Sequence, residues 1–219
     1  MASEQVARAE SERGEVVLLR RESGAVELRV NGVFVMDTVE TSTEQALATR
    51  ALAVVNEPRA VLVGGLGLGF TAHAVLADPR VEKVAVVEIE EALVGWMRDG
   101  TVPHGPSYLA DERLTVVVAD VRAAVAEATP ASYDLVLLDV DNGPGYLVHD
   151  SNAEVYGATF LRRVHDLLRP GGALVVWSAA AAPELGEAVA EVFGAVVPVP
   201  FDVDLQGRAE HYWLYRARR

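Results

Sequence analysis

Ala60-Val61-Leu62-Val63-Gly64-Gly65-Leu66-Gly67-Leu68-Gly69-Phe70 is followed by Thr71 to Pro79 and then by Val81-Glu82-Lys83-Val84-Ala85-Val86-Val87-Glu88-Ile89-Glu90. A short apolar run ends in clustered glycines, a segment of helix length follows, and a second apolar run ends in an acid. This pattern predicts a strand, a tight turn, a helix and a parallel strand. The glycines let the backbone pass close to a ligand, and the helix N-terminus offers unpaired N–H groups. Glu88 lies 19 residues after Gly69, where a carboxylate can accept from both ribose hydroxyls of a nucleoside.

The glycines read Gly65-x-Gly67-x-Gly69, and the sixth position counted from Gly65 is Phe70. The dinucleotide fingerprint G-x-G-x-x-G is therefore not met. The spacing present is the one usual in proteins that bind S-adenosylmethionine. A glycine-rich turn that merely packs a helix on a sheet is the plainer alternative, and the spacing of Glu88 favours nucleoside binding over it.

Outside this stretch, 219 residues suit one domain of ordinary size with a small appendage. Half the residues are hydrophobic, so a large core is available and global disorder is not expected. The net charge of −13 argues against nucleic acid and anionic membrane as partners, and suits a small cationic substrate. Without cysteine there are no disulfides, thiolate metal sites or cysteine nucleophiles. The polar start and the lack of a long apolar run predict a cytoplasmic protein without signal peptide or membrane span.

Residues 1–13 read as a frayed or helical tail. Val16 to Arg20, Ala25 to Val30 and Val33 to Met36, separated by Ser23-Gly24 and Asn31-Gly32, predict a three-stranded meander that covers the site. The first unit is placed at residues 1–42 and the nucleotide-binding unit at 43–219. A helix from Thr43 to Val55 precedes the first core strand. Beyond Glu90, helices are expected at about 91–98, 121–128, 153–168 and 183–193. Strands are expected at Leu114 to Val118, Tyr133 to Asp139, Ala173 to Trp177, about 195–200 and about 209–216. Arg169-Pro170-Gly171-Gly172 reads as a sharp turn and Asp202 to Arg208 as a polar loop.

Strands alternating with helices predict a Rossmann-like, doubly wound, mostly parallel sheet of seven strands with one antiparallel edge. Ligands in such sheets sit beyond the carboxyl ends of the strands. Those ends are Gly64–Gly69, Glu88, Asp120, Asp139 and Ser178, and three of the five carry an acid.

In this ordered set the chain resembles the spermidine-synthase-like branch of the class I S-adenosylmethionine-dependent methyltransferase superfamily, over roughly residues 33–178. The matching features are the N-terminal β-unit, the Gly-Gly loop preceded by Val63, and Val87-Glu88-Ile89-Glu90. Asp120, the Tyr133 to Asp139 strand and Pro170-Gly171-Gly172 complete them. The resemblance implies that Gly64, Gly65, Gly67, Gly69, Glu88, Ile89, Asp120, Val121 and Asp139 hold S-adenosylmethionine or its decarboxylated form. Glu88 would take the ribose hydroxyls, Asp120 the adenine amino group, and Asp139 would face the sulfonium and the incoming amine. It also implies a homodimer.

The departures bear on the reaction. Aminopropyltransferases usually carry Gly-Gly-Gly-Asp-Gly in the first loop and Asp-Ser-Ser-Asp after the fourth strand. Gly67 and Asn142 stand where those two amine-gripping acids are expected, and the family's Tyr-His-Glu run gives way to Thr43 to Arg50. An aspartate 4 Å from a donor carboxylate would cost about 4 kcal/mol at an effective dielectric of 20. Its loss opens the site to ordinary S-adenosylmethionine, so methyl transfer to a small amine is expected ahead of aminopropyl transfer.

Either reaction displaces a sulfonium, and the attacking amine must lose a proton. Asp139, Asp141 and His149 are the candidate catalytic groups. If strand geometry persists, Asp139 and Asp141 point to one side and raise one another's proton affinity. Asp141, Asn142, Tyr146 and Tyr156 are the candidate acceptor contacts, in and after a loop long enough to close over a substrate. A capping role for either aspartate, a solvated His149, and packing or anchoring roles for the tyrosines are the blander alternatives. Trp177 reads as core. His73, His104, His165 and His211 lack ligand-like spacing to acids, so no metal is assigned. A nicotinamide-dependent oxidoreductase and a catalytically silent nucleoside-binding protein are the competing classes.

Overall fold

The computed structural model describes residues 3–145, 147–205 and 208–219. Four strands open the chain: β1 (Ser3–Ser11), β2 (Gly14–Arg21), β3 (Val26–Val30) and β4 (Val33–Asp37). They form an antiparallel sheet in that order. The expected tail is thus largely a fourth strand. Its polar sequence has no apolar stripe to announce a strand, and the pairing comes from tertiary context: Ser3 to Ser11 run against β2, while Val6 and Ala7 pack on the core. Asn31 and Gly32 both adopt positive φ, 51° and 76°, in the tight β3–β4 turn. The Asn31 side chain accepts from Glu15 N–H at 2.9 Å and donates to the Arg13 carbonyl at 3.1 Å, which fixes the β1–β2 hairpin.

The rest builds a seven-stranded sheet. In chain order its elements are α1 (Ser42–Leu52), β5 (Ala60–Gly64), α2 (Phe70–Leu76), β6 (Lys83–Glu88), α3 (Glu91–Asp99), α4 (Gly105–Tyr108) and β7 (Leu114–Val118). Then follow α5 (Val121–Glu127), β8 (Tyr133–Leu138), a 3-10 segment (Asp150–Tyr156), α6 (Ala158–Leu167), β9 (Leu168–Ser178), α7 (Pro183–Phe193), β10 (Val197–Leu205) and β11 (Arg208–Arg218). The order is β10-β11-β9-β8-β5-β6-β7, with β5 to β9 parallel and the β10–β11 hairpin antiparallel at one edge. This is the doubly wound, mostly parallel sheet that the alternation predicts.

Three local readings change. Arg169 to Gly172 lie inside β9 as an irregularity: Tyr133 pairs with Leu168, and Leu135 already with Ala173. Helix α6 starts at Ala158, because residues 150–156 tighten into the 3-10 segment. The expected polar loop shrinks, since β10 runs to Leu205 and β11 starts at Arg208.

Side chains alternate across the sheet. Val61 and Val63 join one buried cluster with α1, α2 and α3, whereas Leu62 joins the other with α5, α6 and α7. Val16, Leu18, Val26, Leu28 and Met36 of the first sheet belong to the former cluster. The small sheet therefore shares a core with the large one.

Strand order reverses between β5 and β8, and the crevice opens there. Asp139 N–H donates to the Gly64 carbonyl at 2.8 Å. Gly65 has φ of +95°, and a Cβ on it would stand 2.0 Å from the Asp139 carbonyl oxygen. Backbone cannot yield to that contact. Gly65→Ala is expected to cost about 2–3 kcal/mol of stability, lowering Tm by roughly 5–10 °C in a thermal melt.

Candidate functional site

The strand ends and the underside of the small sheet enclose a cavity of about 250 Å³. Gly65, Gly67, Glu88, Ile89, Asp120, Val121, Asp139, Asp141, Asn142 and His149 line it, as do Val16, Leu28, Val30 and Phe34 to Asp37 of the meander. Gly64 and Gly69 lie behind the lining. Gly64 packs against Leu138, Val121 and Val140, and Gly69 caps α2 beside Met97. Tyr146 lies outside the described residues. Tyr156 is buried beneath the loop after β8. Burial, then Asp141 and Asp139, raise its phenol, and its oxygen accepts from the Gly143 N–H.

At one end Glu88 is buried at the tip of β6. Its Oε2 accepts from Leu66 N–H at 2.9 Å and its Oε1 from Glu90 N–H at 2.8 Å. Desolvation raises its proton affinity against those donors. The Gly67 N–H is a third donor to this carboxylate, which keeps capacity for a ligand hydroxyl. Asp120 caps α5 through Arg122 N–H at 2.8 Å and is forked by the Arg122 guanidinium, with Nε to Oδ1 at 3.0 Å. That pairing holds its carboxyl below the usual range. Arg13 reaches over this end from the β1–β2 hairpin, donating to Asn152 Oδ1 at 2.8 Å and lying 3.8 Å from Glu90.

The other end departs from the paired-carboxylate expectation. The strand stops at Leu138, so Asp139 and Asp141 do not share a face. Asp139 Oδ2 accepts from the Thr71 hydroxyl at 3.0 Å, and burial pushes its carboxyl up to about 6. Asp141 turns to its own loop. Its oxygens accept from Asn142 N–H at 2.8 Å, Val148 N–H at 2.9 Å and Asn152 Nδ2 at 2.7 Å. His149 Nδ1 lies 2.8 Å from the Ser151 hydroxyl and 3.3 Å from the Ser151 N–H, so the ring is held at the start of its own 3-10 segment.

The carboxyl that electrostatically accompanies Asp139 is Glu44, on the first turn of α1. Burial and then the Asp139 charge push it up to about 7, and its Oε2 accepts from the Thr43 hydroxyl at 2.6 Å. Sequence reading missed it because α1 carries no family-like run and the residue sits 95 positions from Asp139. Met36, Trp177 and Tyr212 were missed too. Trp177, expected in the core, lines the cavity 5.2 Å from Tyr212, ring to ring. Met36 Sδ accepts from Leu68 N–H at 3.2 Å and stands 2.6 Å from where a Gly67 Cβ would be. A second, more open depression lies between Val33, Leu147, Ala179 to Ala181 and Trp213. It meets the first cavity at Asn142, Val148, Ala179 and Tyr212.

A profile of the spermine/spermidine synthase domain matches residues 40–192. The chain belongs to that family. It is 31% identical over 141 residues to polyamine aminopropyltransferase 2 of Pseudomonas aeruginosa, covering 63% of this chain and 38% of that protein. It is 30% identical over 162 residues to a polyamine aminopropyltransferase of Aeropyrum pernix, covering 68% and 49%. Putrescine N-methyltransferase 3 of Nicotiana tabacum is 32% identical over 123 residues, covering 55% and 30%. The chain thus spans less than half the length of these relatives. A spermidine synthase from Thermotoga maritima superposes with a TM-score of 0.82 at 15% identity over 98% of this chain and 72% of that one, which shows the shared fold.

Glu44 binds a proton more tightly folded, near pH 7, than unfolded, near the ordinary value of 4.5. Its contribution to stability is full below pH 4.5 and is lost as pH rises through 7. Glu44→Gln, which cannot ionise, is expected to match the parent protein at pH 5. At pH 8 it is expected to exceed the parent by on the order of 1–2 kcal/mol in urea unfolding.

Proposed function

We propose that this family member transfers an aminopropyl group from decarboxylated S-adenosylmethionine to a small amine of the polyamine class. This reverses the order expected from the sequence, where the neutral Gly67 and Asn142 put methyl transfer first. The observation that carries the reading is the charge at the transfer end of the cavity. Asp139, Asp141, Glu44 and Glu40 line it, while among the described lining residues Arg13 is the sole arginine or lysine, and it lies at the far end beside Glu90. A donor carboxylate would find no cationic partner there. Two amines, one on the donor tail and one on the acceptor, suit an anionic and partly desolvated wall.

In this reading Glu88 takes the ribose hydroxyls through its remaining lone pairs, Ile89 and Val121 flank the base, and Asp120 accepts from the adenine amino group. Asp139, at the tip of β8 and held by Thr71, receives the proton that the acceptor ammonium must lose. The freed nitrogen attacks the aminopropyl carbon, the carbon–sulfur bond breaks, and 5′-methylthioadenosine leaves with the electron pair on sulfur. Alignment supplies most of the acceleration, since the sulfonium is already a good leaving group. Asp141 and Tyr156 hold the loop over the acceptor.

Methyl transfer is the second reading. Gly67 and Asn142 favour it, as does the similarity to a putrescine N-methyltransferase. Incubation of the protein with putrescine and each donor in turn, read by mass spectrometry, separates the two. A gain of one aminopropyl unit is expected with the decarboxylated donor. A gain of one methyl from the ordinary donor would install the second reading. Asp139→Asn is expected to lower kcat by about 10²–10⁴-fold while leaving nucleoside affinity within a few fold.

A further inference from the structure

Resting on the aminopropyl-transfer reading, we propose that Glu44 is the carboxylate that binds the ammonium of the donor's aminopropyl chain and thereby selects the decarboxylated donor. The loop position where the family resemblance puts an acid holds Gly67, with Met36 packed against it. Gly67 has φ of +50°, and its Cβ would stand 2.6 Å from Met36 Sδ. A thioether fills that space, and it offers an ammonium no charge. The negative group has to come from another element.

The other acids at the site are engaged. Glu40 Oε1 takes both the backbone N–H, at 2.9 Å, and the hydroxyl of Ser42. Asp141 is held by three groups of its loop, and Glu88 and Asp120 serve the nucleoside end. Glu44 accepts from the Thr43 hydroxyl and its own backbone N–H. A carboxylate with about four lone-pair sites keeps capacity for an ammonium. Its place fits the donor tail: α1 packs on α2, whose first turn supplies Thr71 to Asp139. The charged neighbours are Asp139 and Glu40, both negative. On adjoining turns, Arg50 lies over the Phe201 ring and His73 is stacked on Tyr108. Across the cavity, His149 caps its own segment and Asp37 is paired with Arg21.

Chemically, Glu44 acts as a matched switch. Without a cation about half of it stays protonated at neutrality. An ammonium draws out its ionised form and a proton leaves, so affinity rises with pH through about 7. A donor carboxylate would instead meet two acids.

The test is calorimetric titration of the whole protein and of Glu44→Gln at pH 6, 7 and 8. Three nucleosides are used: decarboxylated S-adenosylmethionine, ordinary S-adenosylmethionine and 5′-methylthioadenosine, which has no amine tail. For the parent protein, affinity for the decarboxylated donor is expected to rise about tenfold from pH 6 to 8, with 5′-methylthioadenosine unchanged. In Glu44→Gln the decarboxylated donor is expected to weaken by about 10–100-fold and lose its pH dependence. The preference over the ordinary donor should shrink with it, and 5′-methylthioadenosine should bind as before. Equal weakening of all three nucleosides, no change, or an effect confined to the KM of putrescine would overturn the assignment. Should the variant not fold, the parent series decides alone, a pH-independent ratio of the two affinities overturning it. Failure of the parent protein to bind 5′-methylthioadenosine would overturn the nucleoside reading itself, and this assignment with it.

Discussion

The site depends on the approach of two backbones at the reversal of strand order. The Gly65 main chain presses on the Asp139 carbonyl, and the Asp139 N–H is tied to the Gly64 carbonyl. With those two strand ends locked together, the glycine loop and the carboxylate of Asp139 hold fixed positions on either side of one crevice. Glu88 is set from the next strand by its bonds to Leu66 and Glu90, so the loop and the acid position each other. Backbone contacts place both sides of the crevice, and the displacement chemistry proposed above depends on such alignment.

Around that frame the electrostatics run against the usual economy of folding. Acids gather where water is scarce, and desolvation lifts Glu44, Asp139 and Glu88 above the ordinary carboxylate range. Pairing relieves the strain at the nucleoside end, where Arg122 forks Asp120, and at Asp37, which Arg21 holds. The end of the cavity at Asp139 and Glu44 is left short of positive charge, a deficit that a cationic ligand would fill.

How much of this was legible in the sequence follows from how local each signal is. The glycine loop, Glu88, Asp120 and Asp139 are punctuation at strand ends, so period and spacing suffice to find them. The parallel sheet follows from the same alternation. The condition on Asp141 is not met because the strand stops at Leu138, three residues before it. Ser3 to Ser11 gave no strand signal because a polar edge strand is defined by its neighbour. Glu44, Met36, Trp177 and Tyr212 come from four separate elements and meet only through packing. No spacing rule relates them. Gly67 was read as a lost charge, and the packing of Met36 against it was not visible in the sequence.

The roof over the cavity has a bearing on traffic. Leu18, Leu28 and Met36 are buried in the same apolar cluster as Val61, Val63 and Leu47, so the small sheet is no hinged cover: lifting it would expose the interior it completes. Passage is left to the flank, where the wider depression opens at Asn142, Val148 and Ala179. In the proposed reaction the incoming amine and the departing thioether nucleoside would share that one doorway.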